Sequence, residues 1–206
     1  GAGGDDIFTG YRRHVALQQV RYWAWLPRTA RQGLSRLTSR LPTGVPVVRR
    51  LRRACEYAAL DGRDRLVSSF YWLGPDAVRG LLAPELRSAI ADGAVAEPLI
   101  SALDRLPQGA TDLDCMLYLE GKFFLADHNL NYTDKMAMAH GVEVRVPLID
   151  QDRVALAAQL PDDIKQRGRT GTWVFKKAME PYLPLKVIDR PKTGFGAPLR
   201  RWLRHE

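Results

Sequence analysis

Apolar residues recur at intervals of three and four through most of the chain, and strand-like alternation is sustained nowhere. That pattern predicts a mainly α protein. The longest coherent stretch runs from Thr111 to Gly141, where Leu113, Met116, Leu117, Glu120 and Phe124 fall on one helical face. Thr111 is placed to cap this helix, with Asp114 three residues on in a capping-box position. Glu120 is the polar member of the stripe. It reads either as a buried partner for a cation or, more simply, as a residue at the stripe's edge. Asp127 to Lys135 then interrupts the pattern with a polar loop or a helix start, before Met136-Ala137-Met138-Ala139 resumes it.

Upstream, Leu34, Leu37 and Leu41 predict an amphipathic helix with a basic face, for which Tyr22, Trp23 and Trp25 are available as anchors. Pro42, Gly44 and Pro46 break it, and a helix follows over Leu51 to Leu60. Leu66 to Trp72 is a second apolar run that ends at Gly74-Pro75. Asp76 and Pro84 signal helix starts for Ala77 to Leu82 and Glu85 to Ala91. Downstream, the stretch from Gly141 to Pro147 alternates apolar and charged residues. It reads as a short strand, as a pocket lining made by Glu143 and Arg145 on one face, or as a surface ion pair. Asp150 is placed to cap a helix through Leu160, which Pro161 ends. Thr172 is placed to cap another through Tyr182, with Phe175, Ala178 and Met179 inward.

Composition narrows the class. With 206 residues, 46% hydrophobic and 26% charged, the chain suffices for one substantial domain or a large piece of a bigger one. A net charge of +8 favours anionic partners: nucleotide, nucleic acid or membrane surface. Charge alone does not choose among them, so neither a nucleic-acid nor a membrane partner is assigned, and a homodimer is left open. The Arg-rich stretch from Tyr11 to Arg53 reads as a solvated or packed basic face, or as a binding surface. Cys55 and Cys115 are far apart and lack metal-site spacing, which fits small core residues in a reducing cytoplasmic setting. No apolar run approaches the roughly 18 residues of a membrane span. The chain opens on Gly1 without an initiator methionine, and the expectation is that further chain precedes it in the natural protein.

Two stretches carry candidate chemistry. Gly1-Ala2-Gly3-Gly4-Asp5-Asp6 offers unobstructed backbone N–H groups for phosphates and carboxylates for a hard cation; it also reads as a turn capped by Asp5. Near the C-terminus, Arg190 and Lys192 flank Pro191 and precede Gly194 and Gly196. This is a basic turn between helices, or a mobile loop that closes a cation over an anion. His14, His128, His140 and His205 have no motif partner and are assigned ordinary hydrogen-bonding or surface roles.

In order along the chain, these motifs resemble the C-terminal synthetase domain of glutamine-dependent asparagine synthetases. The first block is Gly1 to Tyr11, against Ser-Gly-x-Gly-x-Asp-Glu-x-x-x-Gly-Tyr. The second is Asp134 to Asp150, against Asp-Arg-x-Ser-Met-Ala-x-x-x-Glu-x-Arg-x-Pro-Phe-Leu-Asp. The third is Arg190, Lys192, Gly194, Phe195, Pro198 and Trp202, in the spacing Arg-x-Lys-x-Gly-Phe-x-x-Pro-x-x-x-Trp. The last two blocks together are specific, whereas the Arg-rich stretch matches only loosely.

The resemblance implies that residues 1–206 are the C-terminal helical portion of an α/β ATP-pyrophosphatase-like synthetase domain. It implies ATP and Mg2+ as cofactors, with aspartate and glutamine-derived ammonia as the other substrates. By the same resemblance, Asp5 is the metal and pyrophosphate aspartate, and Lys192 the cation of the adenylation transition state. Gly1 lines the AMP site, and Glu143, Arg145 and Arg190 belong to the nucleotide-binding blocks. Three positions depart from the pattern: Ala2 replaces a glutamate implicated in handling the aspartyl intermediate, Asp6 replaces a glutamate, and Thr172 stands where many members have lysine. Ala2 leaves open a different carboxylate acceptor. The family's Ser-Gly-Gly-x-Asp-Ser loop and its N-terminal glutaminase domain are not in this sequence. The isolated chain is therefore expected to lack synthetase activity, and its Lys192 loop to be mobile without an opposite wall. A second functional reading is a basic module that attaches to nucleic acid or an anionic membrane.

Overall fold

In the computed structural model, the described residues are 3–42, 44–191, 198 and 202–203. They are mainly helical, and the one β feature among them is an isolated antiparallel bridge between Arg167 and Thr170. The helices in order are α1 (Gly4–Ile7), α2 (Arg12–Gln19), α3 (Arg28–Ser39), α4 (Pro46–Ala58), α5 (Gly62–Ser68), α6 (Pro75–Gly80), α7 (Pro84–Ala89) and α8 (Glu97–Leu103). Next come α9 (Asp112–Leu119), a π-helical segment (Glu120–Leu130), α10 (Asn131–Met138) and a 3-10 turn (Pro147–Ile149). The last four are α11 (Gln151–Gln159), α12 (Asp162–Lys165), α13 (Trp173–Met179) and α14 (Leu185–Ile188).

Proline and capping chemistry set many of these boundaries. Helices α4, α6 and α7 each begin on a proline, where the missing N–H costs nothing and the fixed φ suits a first turn. Thr111 caps α9 as expected: its hydroxyl accepts from Asp114 N at 3.0 Å, while Asp114 Oδ2 accepts from Thr111 N at 3.2 Å. Asp150 likewise caps α11 by accepting from Asp152 N. Thr172 stands at the start of α13, but in a left-handed conformation and with no capping bond from its side chain.

The core lies where α2, α5, α8 and α9 meet, with Leu17, Leu66, Val67, Leu103, Leu113, Met116 and Leu119 buried. The α9 stripe is therefore inward as expected, with Leu119 added to it. Two expectations about neighbouring segments are corrected. Of the two readings of the polar run from Asp127 to Lys135, the loop is corrected and the helix start stands: the chain continues through the π-helical segment directly into α10, which begins at Asn131. Its aromatics and His128 stack at helical spacing: Phe124 and His128 lie 5.2 Å apart, and His128 meets Tyr132 edge-on at 5.2 Å.

The second correction concerns α3. Leu34, Leu37 and Leu41 are exposed, and the buried side chains of that helix are Arg31 and Thr38. Arg31 turns inward because Asp61 and the backbone carbonyls of Leu26 and Ala58 take its donors. Of the aromatics available as anchors, Tyr22 and Trp25 are exposed and Trp23 is half-buried. On α13, Phe175 and Met179 are half-buried, but Ala178 faces solvent.

Candidate functional site

Gly3, the first described residue of the first block, is in the left-handed region, at φ 89°, immediately before α1. Glycine is required there twice over: the backbone angle is costly for any other residue, and a Cβ would lie 2.1 Å from Ile149 Cγ2. At Gly4 a Cβ would lie 2.9 Å from Leu148 Cδ1. The bare backbone of the first block thus rests on the 3-10 turn of the second, which joins two stretches far apart in sequence.

Asp5 is half-buried on α1, and its side chain folds over Gly10, where a Cβ would lie 1.8 Å from Asp5 Oδ1. Asp6 is the next residue of α1. It is fully buried and accepts from the Tyr11 hydroxyl at 3.2 Å through both carboxylate oxygens. Burial, reinforced by the charge of Glu120, pushes the Asp6 carboxyl above the usual carboxylate range. Burial and the neighbouring Asp6 likewise raise the Tyr11 phenol. The two adjacent acids are thereby divided, with Asp5 on the loop side and Asp6 in the interior.

Behind Asp6 lies a polar network of which the sequence suggested only the carboxylate. Glu120, read either as a buried partner for a cation or as an edge residue, takes the first role: it is fully buried and bridges Arg13 Nε and His14 Nε2. The guanidinium of Arg13 also lies over the rings of Tyr11, Phe70 and Phe124 at 4.7, 4.9 and 4.5 Å. His14 has the ordinary hydrogen-bonding role expected of it, and accepts from Tyr11 N through Nδ1 at 3.2 Å. The network fixes α2 on the π-helical segment and, through Tyr11 and Asp6, fixes the floor of the Asp5 loop. Glu120's place on an otherwise apolar stripe was the one signal that pointed to it.

The other end of that loop is held by two threonines. Thr9 has φ 62° and Thr172 φ 54°, an uncommon conformation for β-branched residues. The Thr9 hydroxyl donates to Lys165 O at 2.9 Å and accepts from Thr172 N at 3.3 Å, while Thr172 N also donates to Phe8 O at 2.7 Å. A Cβ on Gly171 would lie 2.0 Å from Thr9 O, so the two strands of backbone touch. Phe8 stacks on Phe175 at 5.4 Å beside them. From α13, Lys176 Nζ reaches Asp189 at 3.3 Å, next to Arg190. The first block is therefore tied to the segment that leads into the third.

A cavity of about 890 Å³ lies beneath α1, between α9, the π-helical segment and α11. Its wall is mostly apolar, including Leu117, Leu125, Ile149 and Ala157, and its polar members include Asp6, Lys122 and the Lys165–Asp114 pair. Lys165 is buried, with Nζ 3.3 Å from Asp114 Oδ1.

The remaining expected site residues are less gathered. Glu143 and Arg145 form no strand. They are an ion pair at 2.8 Å on an irregular segment, with side chains 67% and 84% exposed, and neither lines the cavity beneath α1. Arg190 is exposed after α14. Gly1, Ala2 and Lys192, with the expected mobility of the Lys192 loop, lie outside the described residues. Among the described residues no three His, Cys, Asp or Glu side chains gather as a metal site. A magnesium ion held by one or two carboxylates together with substrate phosphates and water does not need such a cluster.

The family model described as asparagine synthase matches residues 1–206. The chain is similar to "Putative asparagine synthetase (glutamine-hydrolyzing)" of Mycobacterium bovis, 28% identical over 99% of this chain and 30% of the relative. It is similar also to asparagine synthetase (glutamine-hydrolyzing) 1 of Bacillus subtilis, 25% identical over 100% of this chain and 31% of the relative. The nodule asparagine synthetase of Pisum sativum is 33% identical over 30% of this chain and 12% of the relative. The chain thus spans under a third of the length of the bacterial relatives. No solved structure matches it.

Proposed function

The chain belongs to the asparagine synthase family, and on that premise we propose that it supplies the C-terminal helical part of an ATP-dependent amide-forming ligase. In this reading, residues 1–206 form one wall of an ATP-pyrophosphatase-like synthetase domain, completed by pyrophosphate-loop and glutaminase regions of the same protein in a cytoplasmic enzyme. The reaction is asparagine formation from aspartate. A carboxylate oxygen attacks the α-phosphorus of ATP, the bond to pyrophosphate breaks, and ammonia from glutamine then displaces AMP from the acyl carbon with loss of a proton.

Asp5 would hold magnesium, and the metal would supply neutralisation of the charge that grows on the leaving pyrophosphate. Lys192 stabilises the charge that develops at the α-phosphate. Gly1, Glu143, Arg145 and Arg190 contribute to nucleotide binding. The observation that supports this reading is the contact of Gly3 with Ile149, because it sets the glycine-aspartate stretch against the second block, while the Thr9–Thr172 contact ties that stretch to the start of α13, upstream of the third. Ala2 favours a second reading within the same class, a ligase that amidates a different carboxylate.

The test uses the full-length natural protein with glutamine, ATP and aspartate. Lys192→Ala is expected to lower AMP formation by about a hundredfold or more while glutamine hydrolysis persists. AMP formation that survives the substitution unchanged rejects the assignment. Turnover with another carboxylate but not with aspartate selects the second reading.

A further inference from the structure

Helices α3 and α4 pack against each other as a hairpin whose base is neutralised and whose outer surface is not. At the base, Asp61 pairs with Arg31 at 2.8 Å, Arg65 at 2.9 Å and Arg28 at 3.6 Å. On α4, Arg52 pairs with Glu56 at 2.8 Å. By contrast, Arg36, Arg40, Arg49, Arg50 and Arg53 are exposed and form no ion pair among the described residues. Between Ile7 and Cys55 the sequence contains no aspartate or glutamate, so the hairpin has no acid of its own until Glu56.

The same hairpin leaves apolar side chains in water. Leu37 is 65% exposed, Val45 52% and Val47 69%. They are not scattered: Leu37 follows Leu34 by three on α3, and Leu51 follows Val47 by four on α4, so each helix carries a short apolar row beside its arginines. Unpaired cations and exposed aliphatic rows together match a surface that offers phosphate charge above hydrocarbon.

We infer that the α3–α4 hairpin docks on an anionic lipid surface, with its unpaired arginines at the phosphates and Leu37, Val45 and Val47 at the edge of the acyl layer. The hairpin lies on that surface and does not cross it, since no helix among the described residues is long and apolar enough to span a membrane. A nucleic acid would engage the arginines but leave the aliphatic rows wet. A second copy of the hairpin would set like charge against like.

Co-sedimentation of the protein with vesicles of phosphatidylcholine alone, and of phosphatidylcholine mixed with phosphatidylglycerol, tests this directly. The expected result is binding to the mixed vesicles only, weakening as added salt shortens the screening length. Replacing Arg36, Arg40, Arg49, Arg50 and Arg53 together by Gln is expected to weaken partition on the order of a thousandfold. The pair Leu37→Ser and Val47→Ser is expected to weaken it about tenfold with all the arginines intact. Every substituted position is exposed, so circular dichroism should show unchanged helix content.

Absent or charge-independent vesicle binding by the unmodified protein overturns the inference. So does binding to a single-stranded oligonucleotide, without vesicle binding, that the arginine variant loses and the serine variant keeps. A concentration-dependent dimer that the serine variant abolishes, again without vesicle binding, overturns it in favour of self-association. None of these readouts depends on AMP formation, so this inference and the ligase reading fail separately.

Discussion

His14 Nε2 lies 2.8 Å from Glu120 Oε2, with both side chains wholly buried. The backbone N–H of Tyr11 donates to His14 Nδ1, so the ring nitrogen facing Glu120 is the one that carries the proton and donates. With Arg13 on its other oxygen, the carboxylate is held from two sides, and the helix that follows the Asp5 loop is pinned by it.

Removing that carboxylate strands a buried guanidinium. Glu120→Ala is expected to destabilise the protein by about 3 to 5 kcal/mol in urea unfolding, because Arg13 and His14 lose their common acceptor. A loss below about 1 kcal/mol would show that the network is dispensable.

Gly3 separates two costs that usually come together. Gly3→Ala must pay for the left-handed backbone and for the collision with Ile149. The pair Gly3→Ala with Ile149→Ala relieves only the collision. The single substitution is expected to lower stability by about 2 to 4 kcal/mol, and the double variant to fall short of the additive sum by about 1 kcal/mol or more. Additive losses in a double-mutant cycle would mean that the two residues do not meet.

Thr9 is tested by shape-preserving replacement. Thr9→Val keeps the branched side chain but removes the hydroxyl that serves Lys165 O and Thr172 N. A loss of about 1 to 3 kcal/mol is expected from the unsatisfied buried carbonyl. Proteolysis should report cleavage near Thr170 to Thr172 first. Unchanged stability together with an unchanged cleavage pattern would remove Thr9 from the clasp.

Asp61 supplies the pH dependence. Its hydrogen bond from Arg31, with the charges of Arg31, Arg65 and Arg28, holds its carboxyl below the usual carboxylate range. For a lowered folded value, the stabilisation is fully present above the unfolded pKa of about 4 and is lost as pH falls through the folded value. The difference in thermal midpoint between the protein and Asp61→Asn is thus expected to be largest near neutral pH and to close below the folded pKa. A gap that stays constant down to that pH would mean that the charge of Asp61 is not what holds the hairpin base.

Local chemistry was enough for much of the architecture. Proline breaks, the Thr111 box and the Asp150 cap act within a turn of the helix they bound, so helix limits near Pro75, Pro84, Thr111 and Asp150 could be read in order. The apolar stripe of α9 was legible for the same reason, and the three motif blocks marked the family that the comparison shows. Tertiary structure decided what depends on partners far along the chain. It turned Glu120 inward to residues more than 100 positions away, and turned Arg31 rather than the leucines of α3 toward the base at Asp61. It also chose the exposed ion pair over the strand and the pocket lining among the readings of Gly141 to Pro147, and buried Asp6 while leaving Asp5 half-buried. The opening glycines illustrate both levels: their freedom to turn is a property of the residues alone, but the need for it at Gly3 exists only because Ile149 is folded against it.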